Sequence, residues 1–337
     1  MKRRNISIFF DGTGQCRDVQ PCYNWSNVAL LYDAVSNKPN DEVVQSRKYL
    51  DGVGTREGET LSGGGFGIGL DERVEEAYDF LYQEFDIASK RGEEPHVYIF
   101  GFSRGAFAAR WLASLLDFSG VSKGSPTPRK LFVNHQKQNG KEAKRLIESQ
   151  KVYYPISVDF LGVWDTVEAS MDKIDGIDSL PKCVAKAYHA LAIDEWRKPF
   201  KPTRFKKADK VTEVWFPGSH TDVGGGYEIR TLANAPLIWM VAGSVERGLI
   251  VDYGGLNNRL EQIGKCAAFH DELSNSLLWK SLNKLGGKYF REIEPFDYID
   301  TTVNKYTDNS PSDRQTIPQS CIVMDDKSSK DIIARMC

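Results

Sequence analysis

Short apolar runs alternate with stretches of helical periodicity through most of the first 250 residues. Residues 6–10 and 97–100 are almost wholly apolar, and 156–164 and 211–216 are further strand-like runs rich in apolar side chains. That is the pattern of strands buried on both faces of a parallel sheet. Residues 47–53 predict one more strand. Between them, residues 24–35 place Val28, Leu30, Leu31 and Val35 at helical spacing, with Asn24 or Ser26 positioned to cap. Residues 70–91 keep Val74, Ala77, Tyr78, Leu81, Phe85 and Ala88 on one face of a longer helix. Residues 106–116 are an Ala-rich helix, residues 183–193 predict another, and residues 232–245, with Trp239 and Met240, a further one. Residues 122–150 are polar and basic, contain Pro126 and Pro128, and predict a surface excursion with one helix, placed to cover a site. Beyond residue 250 no clear strand pattern continues. The strand-helix alternation predicts an α/β fold, a mostly parallel sheet with helices on both faces. Residues 1–250 form the expected catalytic domain and residues 251–337 a C-terminal extension, a lid or docking segment.

One junction in this pattern carries chemistry. The strand ending at Phe100 runs into Gly101-Phe102-Ser103-Arg104-Gly105 and straight into the Ala-rich helix. G-x-S-x-G between a strand and a helix is a nucleophile elbow. The serine takes strained backbone angles, and its neighbours are glycines because the chains approach too closely for a Cβ. The turn raises the Ser103 hydroxyl above the sheet. The first N–H of the helix, that of Arg104, then points at the oxygen of an attacked carbonyl. Residues 6–10 end in Asp11-Gly12-Thr13-Gly14, a tight loop at the same strand edge, where open α/β sheets bind ligands. Gly12 and Thr13 are therefore the expected second source of oxyanion donors, with Asp11 in support.

A nucleophilic serine needs a base and an acid, which in α/β-hydrolase order follow it along the chain. His220 follows the strand at 211–216 in a glycine-bounded loop, the geometry a base above the sheet requires. His270 is its rival. His135 lies in the polar excursion and reads as a surface residue, and His189 reads as a packed helical histidine bonded to a neighbour. Asp165 directly follows the strand at 156–164, so it is the expected acid. Asp222, two residues from His220, is the alternative, and its place before Val223-Gly224-Gly225-Gly226 also suits holding a turn.

Composition narrows the class. The chain has 337 residues, is 41% hydrophobic and carries a net charge of −2, which argues against the basic field of a nucleic-acid binder. No run approaches the ~20 apolar residues of a membrane span. The basic start at Lys2-Arg3-Arg4 leads directly into a strand rather than the apolar core of a signal peptide. Six scattered cysteines without a C-x-x-C pair fit a reducing, cytoplasmic place of synthesis, with export by a route that needs no cleavable signal still open. No acidic loop has calcium-binding spacing, and no cofactor or metal is expected. Asp11-Gly12-Thr13 matches the end of the D-x-D-G-T phosphatase signature, but Phe9 stands where its nucleophile would be. The stretch Gly65-Phe66-Gly67-Ile68-Gly69 lacks the preceding strand and following acid of a dinucleotide loop.

Six ordered motifs go further than G-x-S-x-G alone. They begin with Phe9-Phe10-Asp11-Gly12-Thr13-Gly14, Asp51-Gly52-Val53-Gly54-Thr55 and Gly101-Phe102-Ser103-Arg104-Gly105-Ala106. Gly162-Val163-Trp164-Asp165-Thr166-Val167 and His189-Ala190-Leu191-Ala192-Ile193-Asp194-Glu195 follow, and the stretch from Trp215 to Tyr227 is the last. With these the chain resembles the DUF2235 α/β-hydrolase family, which includes the Tle1-type phospholipase effectors of bacterial type VI secretion. The resemblance implies Ser103 as nucleophile, Asp165 as acid and His220 as base. It also implies hydrolysis of a glycerophospholipid acyl ester through an acyl-enzyme. Peripheral membrane contact and a delivery or immunity protein are the partners it implies. A small-molecule esterase, or a hydrolase scaffold used as a binding module in a toxin or defence system, are the competing expectations.

Overall fold

The computed structural model describes residues 1–35, 42–59, 69–122, 153–154, 156–168, 176–261, 270, 288–305, 317–324 and 330–331. The excursion at 122–150, His135 and the glycine-rich stretch before Gly69 fall almost wholly outside them.

Ten strands are described: β1 (Lys2–Phe10), β2 (Val43–Leu50), β3 (Glu93–Phe102), β4 (Val121–Ser122), β5 (Tyr153–Tyr154), β6 (Val158–Trp164), β7 (Ala187–Ala192), β8 (Val211–Phe216), β9 (Tyr298–Asp300) and β10 (Ile322–Met324). Eight form one sheet in the order β10-β9-β8-β7-β6-β3-β1-β2, and every pairing within it is parallel. The short β4 and β5 pair antiparallel apart from it.

Parallel strands put all their C-terminal ends on one edge, and side-chain alternation sends each strand's residues to two cores. Ile6, Ile8 and Phe10 of β1, with Val97 and Ile99 of β3, pack under α2 (Leu70–Arg91) and α3 (Arg104–Ser119). Phe9, Tyr98, Phe100 and Phe102 face the other way. They meet α1 (Asn27–Ala34) and the helix at Thr231–Glu246, which is α5 in a chain where α4 is the short turn His220–Gly224. The helix at Tyr253–Glu261, α6, lies on this second side through Leu256. Helices cover both faces, as the alternation required. The sheet grows from β1 to β2 on one side and to β3 on the other, so strand order reverses between β1 and β3. That is where open α/β sheets leave a crevice.

Two sequence expectations change. Residues 183–193 are not a helix: Ala187–Ala192 is strand β7, hydrogen-bonded between β6 and β8. Its alanines carry helix propensity, and Val184, Ala187, Tyr188 and Leu191 mimic helical spacing. In the centre of the sheet both faces are buried, however, and the tertiary setting overrides propensity. Tyr188, Ala190 and Ala192 face the core beneath α5, where Tyr188 stacks on Trp239 at 4.4 Å. Strands also continue past residue 250, because β9 and β10 add to the β8 edge. At three residues each they are too short to show a period in sequence.

The elbow glycines are fixed by close approach. A Cβ on Gly105 would lie 2.4 Å from the carbonyl oxygens of both Phe10 and Asp11, and one on Gly101 would lie 2.4 Å from the Gly105 oxygen. Gly105→Ala forces α3 away from β1. It is expected to cost about 3 kcal/mol, the upper range for overpacking, as read by denaturant unfolding.

Candidate active site

Five strand ends supply the side chains at the sheet's C-terminal edge. β1 leads directly to Asp11, β3 to Ser103, β6 to Asp165, β7 to the turn with Asp194 and Glu195, and β8 to the loop before His220. Residues far apart in sequence meet here because their strands are neighbours in the sheet.

Ser103 has φ 59° and ψ −123°, outside the regions open to ordinary residues, and it directly precedes α3. Its N–H donates to the Trp164 carbonyl at 3.0 Å, tying the elbow to β6. A strained non-glycine residue of this kind costs about 1–3 kcal/mol and persists only where the surroundings dictate it. Asp165 is a second such residue, at φ 42°.

The Ser103 hydroxyl donates to His220 Nε2 at 2.8 Å, and His220 Nδ1–H donates to Asp165 Oδ2 at 2.5 Å. Ser103, His220 and Asp165 are all buried. The rings of Phe102 and Phe200 stand 4.7 and 5.0 Å from the imidazole and hold its plane. The His220 N–H donates to Glu195 Oε2 at 3.2 Å, and Glu195 is itself held by Arg197 through bonds of 2.8 and 2.7 Å. Burial pushes His220 below its ordinary pKa, with Asp165 and Glu195 pulling the other way. A histidine in this state is neutral near pH 7 and free to take a proton at Nε2.

Asp165 is the most enclosed member. Oδ1 accepts the Ala192 N–H at 3.0 Å and Arg291 Nη1 at 2.6 Å, while Oδ2 accepts Arg291 Nη2 at 2.9 Å beside His220. Burial alone would raise its pKa, but Arg291 and His220 hold the carboxyl well below the usual carboxylate range. Nothing in the sequence pointed to Arg291. It lies 126 residues beyond Asp165, in the region without strand periodicity. Glu195, Arg197 and Phe200 were likewise not singled out as contacts of the site.

The β1 loop reaches the elbow. The Gly12 N–H donates to Asp11 Oδ1 at 2.7 Å. Arg104 Nε donates to Thr13 Oγ1, clamping the loop to the first turn of α3, and burial draws the Arg104 pKa down to about 10. Asp11 also accepts the Tyr49 hydroxyl at 2.5 Å, and burial pushes its carboxyl up to about 6. Asp11 thus pins the loop from beneath.

The remaining candidates lie elsewhere. Asp222 Oδ2 accepts the Ser219 N–H and hydroxyl at 2.9 and 3.0 Å in a capping box, and Oδ1 accepts His270 Nδ1–H at 2.6 Å. His270, stacked on Tyr227, is therefore paired with Asp222 and not with Ser103. His189 sits on β7 rather than on a helix. Its Nδ1–H donates to Glu213 at 2.8 Å, and its Nε2 accepts the N–H of Thr166, the residue after Asp165, at 3.1 Å. Among the described residues no three His, Cys, Asp or Glu side chains converge in a way that could hold a metal.

A family model, the catalytic domain of Tle1-like phospholipase effectors of the type VI secretion system, matches residues 4–243. The chain belongs to this family. All six sequence motifs fall within the matched residues, so the Tle1-like domain contains the elbow, Asp165 and His220, while Arg291 lies beyond it. An uncharacterized protein of Saccharomyces cerevisiae is 27% identical over 243 residues, covering 63% of this chain and 34% of the yeast protein. Two solved structures are similar at 20% identity. One is a Tle1 effector bound to the VgrG spike of the type 6 secretion system, with a TM-score of 0.41 over 67% of this chain and 51% of that one. The other is an uncharacterized protein from Pseudomonas aeruginosa, with a TM-score of 0.46 over 74% and 47%. The chain thus spans 34% of the yeast relative and 51% and 47% of these two solved chains. No described helix is long and apolar enough to cross a membrane.

Proposed function

We propose that this chain is a serine hydrolase of carboxylic esters, with glycerophospholipid acyl esters as its substrate class. The observation that carries the reading is the unbroken bond series from the Ser103 hydroxyl through His220 to Asp165, on an elbow with positive φ. Membership in a family described by phospholipase effectors supports the lipid substrate.

In this reading His220 Nε2 takes the Ser103 proton as Oγ attacks the ester carbonyl, and Asp165 stabilises the imidazolium formed. The tetrahedral oxyanion accepts hydrogen bonds from backbone N–H groups of Arg104 and Thr13, assisted by the N-terminal dipole of α3. His220 then returns its proton to the departing alcohol, leaving Ser103 acylated. Water, deprotonated by His220, releases the fatty acid and restores the hydroxyl. Residues 251–337 serve as a C-terminal extension to the catalytic domain, and a delivery protein and peripheral contact with a lipid surface are the partners of this role.

The test offers the wild type two substrates in parallel, phosphatidylcholine or phosphatidylethanolamine vesicles and p-nitrophenyl esters. Release of fatty acid from vesicles is the expected result. Cleavage of the small esters alone would replace the lipid reading with a small-ester hydrolase. Turnover of neither, in a folded chain, would favour a binding role.

A further inference from the structure

We propose that Arg291 is a positioning residue for the reaction, which locks the acid–base pair from outside the family domain and makes turnover depend on the docking of segment 288–300. The inference rests on the serine-hydrolase reading above.

In the Ser-His-Asp template the buried acid is oriented through its bond to the imidazole Nδ1–H. Here a guanidinium faces both carboxylate oxygens, with Arg291 and Asp165 each wholly shielded from solvent. This paired arrangement fixes the plane of the carboxylate as well as its charge. The same guanidinium donates to the Ala192 carbonyl at 2.8 Å and the Phe200 carbonyl at 2.6 Å. Ala192 ends β7 and also donates its N–H to Asp165, and Phe200 carries the ring against His220. One side chain therefore ties together the acid, the strand end beneath it and the wall behind the base.

The segment bearing Arg291 is anchored independently. Ile293 and Ile299 pack with Leu191, Ile193 and Trp215, and Asp297 accepts two bonds of 2.9 Å from Arg204 and one of 3.0 Å from Trp215 Nε1. Tyr289 N–H donates to the Trp196 carbonyl at 3.1 Å. Arg291 is thus delivered by a docked strap of the C-terminal extension.

The charged groups facing the imidazole are Asp165 from the end of β6 and Glu195 and Arg197 from the turn after β7, with Arg291 bonded to the same Asp165 oxygen as Nδ1. Removing Arg291 leaves the Asp165 charge uncompensated beside His220. Both groups then hold protons more tightly, and the acid limb of the pH profile moves to higher pH.

The experiment compares Arg291→Met, Arg291→Lys, Asp165→Asn and the double variant Asp165→Asn/Arg291→Met. The readouts are kcat, KM and the kcat/KM pH profile on a p-nitrophenyl ester, and circular dichroism for folding. Arg291→Met is expected to lower kcat about 100-fold with KM within about twofold, and to raise the acid limb by about one pH unit. Arg291→Lys keeps the charge but loses the fork, so its kcat falls while its acid limb stays near that of the wild type. If Arg291 acts through Asp165, adding Arg291→Met to Asp165→Asn costs little more. That double variant carries no unpaired buried charge, so it gives the comparison even where Arg291→Met alone fails to fold. A wild-type kcat and acid limb in Arg291→Met, or losses that multiply in the double variant, would overturn the proposal. Wild-type turnover that survives Ser103→Ala would overturn the hydrolase reading first, and the proposal with it.

Discussion

Ser103→Ala is expected to lower kcat on any ester the wild type cleaves by about 10⁴-fold or more, with the fold intact. The size follows from what the hydroxyl does. In the proposed reaction it is the atom that forms the new bond, and among the described residues it is the hydroxyl bonded to His220 Nε2. Removing it leaves the oxyanion donors and substrate binding, which sustain only the residual rate seen when such a relay loses its nucleophile. The fold should tolerate the change because alanine keeps the Cβ that the elbow already accommodates. The Ser103 N–H to Trp164 and the Ser103 carbonyl to Phe107 are backbone bonds that remain. Loss of one side-chain hydrogen bond costs about 1 kcal/mol. Paired kcat and thermal-melt measurements check both halves, and a variant that kept a tenth of wild-type activity would remove Ser103 from the chemistry.

Asp165→Asn is expected to cost about 10³–10⁴-fold in kcat, whereas Asp222→Asn should cost less than about tenfold. The two acids flank the same histidine in sequence, and their bonds separate them. Oδ2 of Asp165 accepts His220 Nδ1–H and Arg291, and Oδ1 accepts Arg291 and the Ala192 N–H. An amide must turn its NH₂ toward donors on one side or the other. Facing His220, it drives the proton to Nε2 and removes the base. Facing Arg291, it opposes two N–H groups in a buried place. Stability also falls, because a buried guanidinium loses its counter-charge, and breaking such a pair typically costs about 3–5 kcal/mol. Asp222 touches neither Ser103 nor His220 Nδ1. It caps α4 and holds His270, so its loss is a capping loss of about 1 kcal/mol. Kinetics of the two variants at matched folded fraction check this, and the reverse order of activities would exchange the roles.

The sequence made the site legible to the extent that its residues sit at ends of strongly apolar strands. The runs at 97–100, 156–164 and 211–216 stop three, one and four residues before Ser103, Asp165 and His220, so the strand ends place all three at one edge. β7 reads as a helix in the sequence because a central strand rich in alanine has no period of its own. What makes it a strand is pairing with β6 and β8, which local sequence does not encode. Arg291 was invisible for a related reason. It reaches Asp165 from a segment with no regular element at that position, through a contact that only the folded sheet creates. The bond of the Gly12 N–H to the adjacent Asp11 side chain is finer still, a local detail that no pattern in the sequence carries.

The most direct measurement is reaction of the whole chain with a fluorophosphonate, followed by tryptic digestion and mass spectrometry. A fluorophosphonate captures a serine only where a neighbouring base activates it. Ser103 is the one serine in the tryptic peptide spanning residues 92–104. A single stoichiometric adduct on that peptide, absent when His220 is replaced by alanine, is the predicted result. Ester hydrolysis that continues in chain lacking any adduct at Ser103, or an adduct on a different serine, would contradict the assignment of Ser103, His220 and Asp165 as the catalytic relay.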